Sequence, residues 1–225
     1  ERMALMGEAV SKVSHEIQNK ISGVSIWVQN LEMYLRTDDT AQAYIRELEI
    51  ALDSFYQMMM RFKQFYREPV LHKSDVDICA LLKQNMIWVE KECQDKKLRV
   101  NVTCHEPVSV RIDSELMSAA ILNIVRNAIE FSPVDGVIDI DIENHDDKIL
   151  ITISDRGPGI DAGDIDEIFQ PFYTTKSSGS GLGLPIAQNI IAAHGGKISA
   201  LNRTYGTQFT IQLPQKGTDH EHPDR

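Results

Sequence analysis

Residues 150–160 read Leu150-Ile151-Thr152-Ile153-Ser154-Asp155-Arg156-Gly157-Pro158-Gly159-Ile160, an apolar run that ends in a carboxylate and two glycines. The run predicts a buried strand near 148–154. A carboxylate at a strand end accepts a hydrogen bond from an exocyclic amine such as that of adenine, and Gly157 and Gly159 let the backbone approach a flat base. Alone, the same pattern also describes a turn with a capping aspartate.

Working outward, the residues before this stretch predict a helix over 77–96, strands near 98–104 and 108–112, a helix over 114–131 and a strand near 137–143. After it come a glycine-containing loop, a helix at about 182–194 and strands near 197–202 and 207–213. Together these make a layered α+β domain. Along the 114–131 helix, Met117, Ile121, Ile124, Ala128 and Phe131 form an inward stripe, while Asn123, Asn127 and Glu130 share another face. Carboxamides one turn apart suit a magnesium ion or its waters beside phosphates, because a hard cation takes oxygen ligands; both are otherwise ordinary solvated or capping residues.

Ser178-Gly179-Ser180-Gly181-Leu182-Gly183-Leu184 opens the next helix, where bare backbone N–H groups and the positive helix end attract phosphate. Pro185 is tolerated in the first turn. No Lys-Ser or Lys-Thr pair closes the loop and no strand leads directly into it, so it is neither a Walker loop nor a dinucleotide fingerprint. Between the two glycine clusters lie Phe169, Phe172, Tyr173, Thr174, Thr175 and Lys176. This segment reads either as a lid with aromatic anchors and a phosphate-seeking lysine, or as a loop pinned by buried aromatics.

The first third of the chain has a different texture. Met6, Val10, Val13, Ile17, Ile21, Val24, Val28, Leu31 and Leu35 step by three and four, and a second seam runs Ile45, Leu48, Leu52, Phe55, Met59, Phe62 and Tyr66. The polar break Thr37-Asp38-Asp39-Thr40 separates them, so residues 1–68 predict a helical hairpin. Two helices bury too little apolar surface alone, which predicts pairing with a second copy into a dimeric four-helix bundle. His15 falls between the seam positions Val13 and Ile17 and is expected to face outward, where a neutral imidazole is a competent nucleophile. Glu16 is placed to fix its tautomer and Asn19, one turn on, to orient a water. Without a second domain, such a histidine reads as a solvated surface residue. His15-Glu16-Ile17-Gln18-Asn19 lacks the second histidine of a zinc-protease helix.

A net charge of −10 argues against a nucleic-acid surface, so any nucleotide must be held by local geometry. The three cysteines, Cys79, Cys93 and Cys104, fit neither a disulfide framework nor a zinc pattern, and a reducing cytoplasm is the simple reading. No apolar run is long enough to cross a bilayer. Glu1-Arg2-Met3 already fits a helix, so the chain is expected to be a piece of a longer protein, with any sensor or membrane segments lying outside it. The polar residues 215–225 read as a disordered tail.

In order, these motifs resemble those of a sensor histidine kinase of two-component signalling. Ser14-His15-Glu16-Ile17-Gln18-Asn19 is similar to the phosphoacceptor box and Asn123-Ile124-Val125-Arg126-Asn127-Ala128 to the asparagine box. Asp155-Arg156-Gly157-Pro158-Gly159, Phe169-Gln170-Pro171-Phe172 and Gly179-Ser180-Gly181-Leu182-Gly183 are similar to the first glycine, phenylalanine and second glycine boxes. The resemblance implies a dimerisation and histidine-phosphotransfer hairpin over 1–68 and an ATP-binding domain over 75–214. The latter is an α/β sandwich of the Bergerat (GHKL) type, as in the gyrase, Hsp90 and MutL superfamily.

It further implies that Asp155 recognises adenine, that Asn127 coordinates Mg2+ with Asn123 in support, and that Gly181 and Gly183 contact phosphates of ATP. Gly157, Gly159, Phe172, Thr175, Lys176, Gly179 and Leu182 complete the implied nucleotide site. His15 receives the γ-phosphoryl group with the help of Glu16 and passes it to the receiver domain of a response regulator. Asn19 serves dephosphorylation of that partner. Two departures stand out: Lys20 follows the phosphoacceptor box where proline is frequent, and Glu130 stands where the asparagine box commonly carries a basic residue. Lys176 or Arg126 is the expected substitute for that charge. The rival readings are a non-catalytic nucleotide-binding signalling scaffold and an ATP-gated clamp.

Overall fold

The computed structural model describes residues 17, 21–33, 35, 39–66, 69–145, 147–161, 163–176 and 180–215. It divides into two compact units, Glu1–Glu68 and Pro69–Arg225. His15, Glu16, Asn19, Gly179, Arg67, Glu68 and residues 216–225 lie outside the described residues.

In the first unit, helix α1 covers residues 21–33 and α2 covers Asp39–Tyr66. Ile21 and Val28 of α1 are buried, as are Ile45 and Met59 of α2. Gln42 Nε2 donates to the carbonyls of Glu32 and Leu35, both at 3.3 Å, and so satisfies acceptors that the end of α1 leaves without helical partners. The same seams leave Val24, Leu31, Leu48 and Phe55 exposed in a single chain. No helix among the described residues is long and apolar enough to cross a membrane.

The second unit is built on a five-stranded sheet. Its strands are β2 (Arg99–Cys104), β4 (Val137–Asn144), β5 (Lys148–Ser154), β6 (Lys197–Asn202) and β7 (Thr207–Pro214), in the order β2-β4-β5-β7-β6. Only the β2–β4 pair is parallel. Isoleucine alternation sets the register: Ile140 faces Ile153, Ile142 faces Ile151, and Ile151 in turn faces Ile211. All of these are buried on one face, each isoleucine contributing about 1.5–3 kcal/mol of transfer free energy. A one-residue slip would turn the whole set to the opposite face. Helices α5 (Ser114–Phe131) and α6 (Gly183–Ala193) pack together over this sheet.

Helix α5 has well-defined ends. Asp113 caps the start, its Oδ1 accepting from Leu116 N–H at 3.0 Å, and its Oδ2 accepts from His72 N–H at 2.8 Å. At the other end Lys96 Nζ donates to the carbonyls of Ile129, Glu130 and Ser132 at 2.6–3.1 Å, a cation on the negative end of the helix. The His72 bond fastens part of the connection that sequence reading leaves as a link from Arg67 to Ser74.

Three local expectations are corrected. Residues 77–96 are two helices, α3 (Ile78–Trp88) and α4 (Glu90–Asp95), because Asp77 is the cap of α3 and the fully buried Val89 breaks the run at φ −110°. Ser74–Asp77 is a strand, β1, paired antiparallel with β3 (Ser109–Ile112), a long-range pairing with no local periodicity to announce it. Phe131 is 41% exposed, not part of the inward stripe, because it ends α5 and lies against Lys176.

His194, at the end of α6, is 4% exposed. Its Nε2 accepts from Asp113 N–H at 3.0 Å and its Nδ1 lies 2.8 Å from the Ile190 carbonyl, which requires the neutral ring with the proton on Nδ1. Burial is the chief cause that holds this imidazole below its ordinary 6.5. Just below pH 6.5 the unfolded chain therefore binds a proton that the folded chain refuses, and stability falls with pH in that window. For Asp113, burial pushes upward, but hydrogen bonds from Leu116 and His72 prevail and hold it below 3.8, so its contribution is lost only in stronger acid. Thermal melts from pH 7.5 downward are expected to show two separate losses, and His194→Gln should flatten the one nearer neutrality while leaving the acid one.

Candidate functional site

The strand-end carboxylate sits where two strands part. Asp155 follows β5, is 3% exposed, and donates its own N–H to the Thr207 carbonyl at 2.9 Å. Its Oδ1 accepts from Gly157 N–H at 2.8 Å and from Thr207 N–H at 3.1 Å, leaving Oδ2 for a donor from the adjoining cleft. Burial raises its proton affinity, and the two amide bonds and Arg156 counter that rise.

The loop after Asp155 is tied at further points. Arg156 Nη2 reaches Asp139 Oδ2 at 2.8 Å, and Asn202 both accepts from Ile160 N–H at 2.8 Å and donates to its carbonyl at 2.5 Å. Gly206, at φ +83°, lies against Asp155 so closely that an added Cβ would collide with that residue's carbonyl.

A cleft of about 320 Å³ opens beside this carboxylate. Asp155, Pro158, Gly159, Ile160, Asp161 and Thr207 line one part, Asn127 and Phe131 of α5 another, and Asp164, Ile168, Tyr173, Thr175, Leu184 and Phe209 the remainder. The mixture of apolar walls and a few convergent polar groups is that of a small-molecule site. Of the residues expected from sequence, Asn127, Asp155, Gly159 and Thr175 line it directly. Gly157 acts on it through Asp155.

Asn123 stands one turn before Asn127, with its Oδ1 3.6 Å from where a Cβ on Gly183 would sit. Gly183 begins α6, which has no side-chain cap, and with Pro185 lacking an N–H the uncapped donors of its first turn are the amides of Gly183 and Leu184. Leu182 is fully buried, and its side chain belongs to the core. Gly181, at φ +63°, fits against the backbone of Phe172, whose N–H donates to the Gly181 carbonyl at 3.0 Å. Phe172 is half exposed and is not among the cleft-lining residues. Lys176 Nζ is bonded to Asn127 Oδ1 at 2.9 Å and paired with Glu130 Oε2 at 2.6 Å. Arg126 pairs with Glu92 of α4 at 3.3 Å.

Sequence reading missed Thr207, Gly206 and Asn202, which meet Asp155 and its loop only through sheet pairing. Tyr173, between the two glycine clusters, had no assigned role; the hydrogen bond its hydroxyl donates to Asp164, followed by desolvation, pushes it up to about 12, so it stays a neutral donor. No group of three or more His, Cys, Asp or Glu able to hold a metal occurs among the described residues.

A helix-covered mixed sheet with this cleft at a strand end is an ATPase-type architecture, and residues 112–217 match the family described as histidine kinase-, DNA gyrase B-, and HSP90-like ATPase. The signal transduction histidine-protein kinase AtoS of Escherichia coli (strain K12) is 32% identical over 217 residues, covering 95% of this chain and 36% of AtoS. The sensor histidine kinase ZraS of Salmonella typhimurium is 28% identical, over 95% of this chain and 47% of ZraS. The chain thus spans less than half the length of these relatives. Among solved structures, the catalytic domain of histidine kinase ThkA superposes with a TM-score of 0.61 at 31% identity, over 64% of this chain and 96% of that domain. Histidine kinase ThkA in complex with the response regulator protein TrrA gives 0.72 at 27% identity, over 97% of this chain and 64% of that one. The chain belongs to the histidine kinase family.

Close packing of Gly206 on Asp155 gives a test of the site's construction. Gly206→Ala should destabilise the second unit by about 2–4 kcal/mol, combining backbone strain with displacement of Asp155. Gly163→Ala, where nothing lies within 4 Å of the added carbon, should change stability by no more than about 0.5 kcal/mol in the same urea titration.

Proposed function

We propose that this chain is the kinase portion of a sensor protein that phosphorylates its own His15 from ATP and hands the group to an aspartate on a response regulator. The observation that carries this reading is the Asp155 carboxylate, fixed by two backbone amides with one oxygen left for the cleft, opposite Asn127. In this reading Asp155 accepts from the adenine amine, and Gly157 and Gly159 admit the ring. Gly181, Gly183 and the uncapped start of α6 receive phosphates, with Gly179, Thr175 and Lys176 in the covering segment.

Asn127, supported by Asn123, is the protein ligand of Mg2+. The fit is supported by the donor set: Asn127 Oδ1 already receives a cation, the Lys176 ammonium, and an ion with few protein ligands keeps waters and phosphate oxygens. When bound, the ion neutralises phosphate charge. A ring nitrogen of His15 attacks the γ-phosphorus, a P–N bond forms, the bond to the β–γ bridging oxygen breaks, and ADP leaves. Glu16 fixes the ring tautomer. Asn19 positions water when the phosphorylated regulator is hydrolysed.

The first unit is read as the dimerisation and phosphotransfer hairpin, the second as the catalytic domain, both on the cytoplasmic side where ATP and a receiver domain meet. Exposure of Val24, Leu31, Leu48 and Phe55 along otherwise apolar seams supports a homodimeric four-helix bundle. The response-regulator partner is supported by the ThkA–TrrA complex.

Incubation with γ-labelled ATP and Mg2+ should give acid-labile, alkali-stable label on the chain that His15→Gln abolishes. Asp155→Asn should keep the fold, since its carboxamide oxygen can still accept the two amide bonds. It should weaken ATP binding about ten- to a hundredfold because Oδ2 becomes a donor. Nucleotide binding without label in any phospho-competent dimer would favour the scaffold reading, and hydrolysis without label the clamp.

A further inference from the structure

Lys176 is held in a way that nucleotide binding alone does not explain. Its ammonium donates to Asn127 Oδ1 at 2.9 Å, pairs with Glu130 Oε2 at 2.6 Å and lies 4.6 Å from the centre of the Phe131 ring. These partners are i, i+3 and i+4 on α5 and so share one face. Ion pair, carboxamide and ring together enclose the cation, and the lysine side chain is only 20% exposed. Thr175, one residue earlier, lines the cleft.

We propose that Glu130 is a positioning residue that latches Lys176 over Asn127 in the nucleotide-free protein, so that loading of a metal–nucleotide requires this ammonium to leave. The inference rests on the reading of the cleft as a Mg-nucleotide site. A divalent ion and an ammonium on one carboxamide oxygen repel each other, and the oxygen serves one at a time. Arrival of a triphosphate offers the lysine a stronger counter-charge than Glu130, so loading becomes an exchange of ion pairs. Glu130 thereby sets a threshold for loading and ties the covering segment to α5 until it is crossed. The acidic residue that departs from the usual asparagine-box pattern acquires a role here: its charge is directed at the protein's own lysine. Reciprocity follows: bound metal–nucleotide must weaken the latch by the same factor by which the latch weakens metal–nucleotide binding.

The test is equilibrium binding of a methylanthraniloyl-ATP probe in Mg2+ to the full chain as wild type, Glu130→Gln, Lys176→Met and the double variant. Glu130→Gln should bind about three- to fivefold more tightly, the scale of one partly exposed ion pair, and the gain should vanish in the Lys176→Met background. Unchanged or weaker binding by Glu130→Gln overturns the latch. A gain that persists without the lysine also overturns it, since mere removal of negative charge then suffices. In the nucleotide-free protein, Glu130→Gln should shift the Asn127 side-chain amide resonance, and an unmoved resonance overturns the latch too. Failure of the wild type to bind the probe would sink the nucleotide reading instead, leaving the resonance shift to judge the contact between Glu130, Lys176 and Asn127.

Discussion

The second unit depends on one interaction, the closure of Asp155 onto Thr207. Their backbones exchange a hydrogen bond at 2.9 Å, and the Thr207 amide also donates to the Asp155 carboxylate at 3.1 Å. A buried carboxylate is costly without partners, and here backbone amides supply them. The Thr207 amide is in place only if β5 and β7 pair in their observed register, Ser154 opposite Gln208. The isoleucine face enforces that register over the length of both strands. Hydrophobic packing several residues away therefore sets the position of the polar atom that faces the cleft.

Charge is arranged to the same end. With a net charge of −10, the protein offers a phosphate group no broad basic surface. The local donors are instead the uncapped start of α6 and single cations, most of them already committed. Lys96 holds the end of α5, Arg156 holds Asp139, Arg126 holds Glu92, and Lys176 holds Glu130 and Asn127. Three of these cations shape the scaffold, while Lys176 alone among the four holds a residue that lines the cleft. The site thus has a cation at hand whose present partners belong to the same helix face that the proposed reading assigns to metal and nucleotide.

Much of this was legible in the sequence where the governing interaction is local. Helix α5 covers the residues its periodicity indicates, and the strands of the isoleucine-rich meander fall within a residue or so of expectation. Of the glycines expected at the site, Gly159 lines the cleft and Gly157 bonds the Asp155 carboxylate, because the requirement for close backbone approach is written in the residue itself. What escaped is set by partners distant in sequence. Strand β1 exists because β3 pairs with it, and Gly206 matters because Asp155, about fifty positions earlier, needs its space. Phe131 fits the apolar period but lies at the end of its helix, where Lys176 is available as a neighbour and the core is not. The break at Val89 is likewise tertiary: a residue wholly inside the unit redirects a segment whose composition would continue a helix.

The two units differ in how much of their stability they carry themselves. The second encloses a core of wholly buried isoleucine, leucine and methionine side chains in one chain, whereas the hairpin buries few of its seam residues and leaves others open. On the proposed reading this asymmetry is functional. A domain that must load nucleotide and then present it needs a self-sufficient core. In the same proposed reading the first unit gains its stability from a second copy, so signals that alter helix packing act on the less self-sufficient unit.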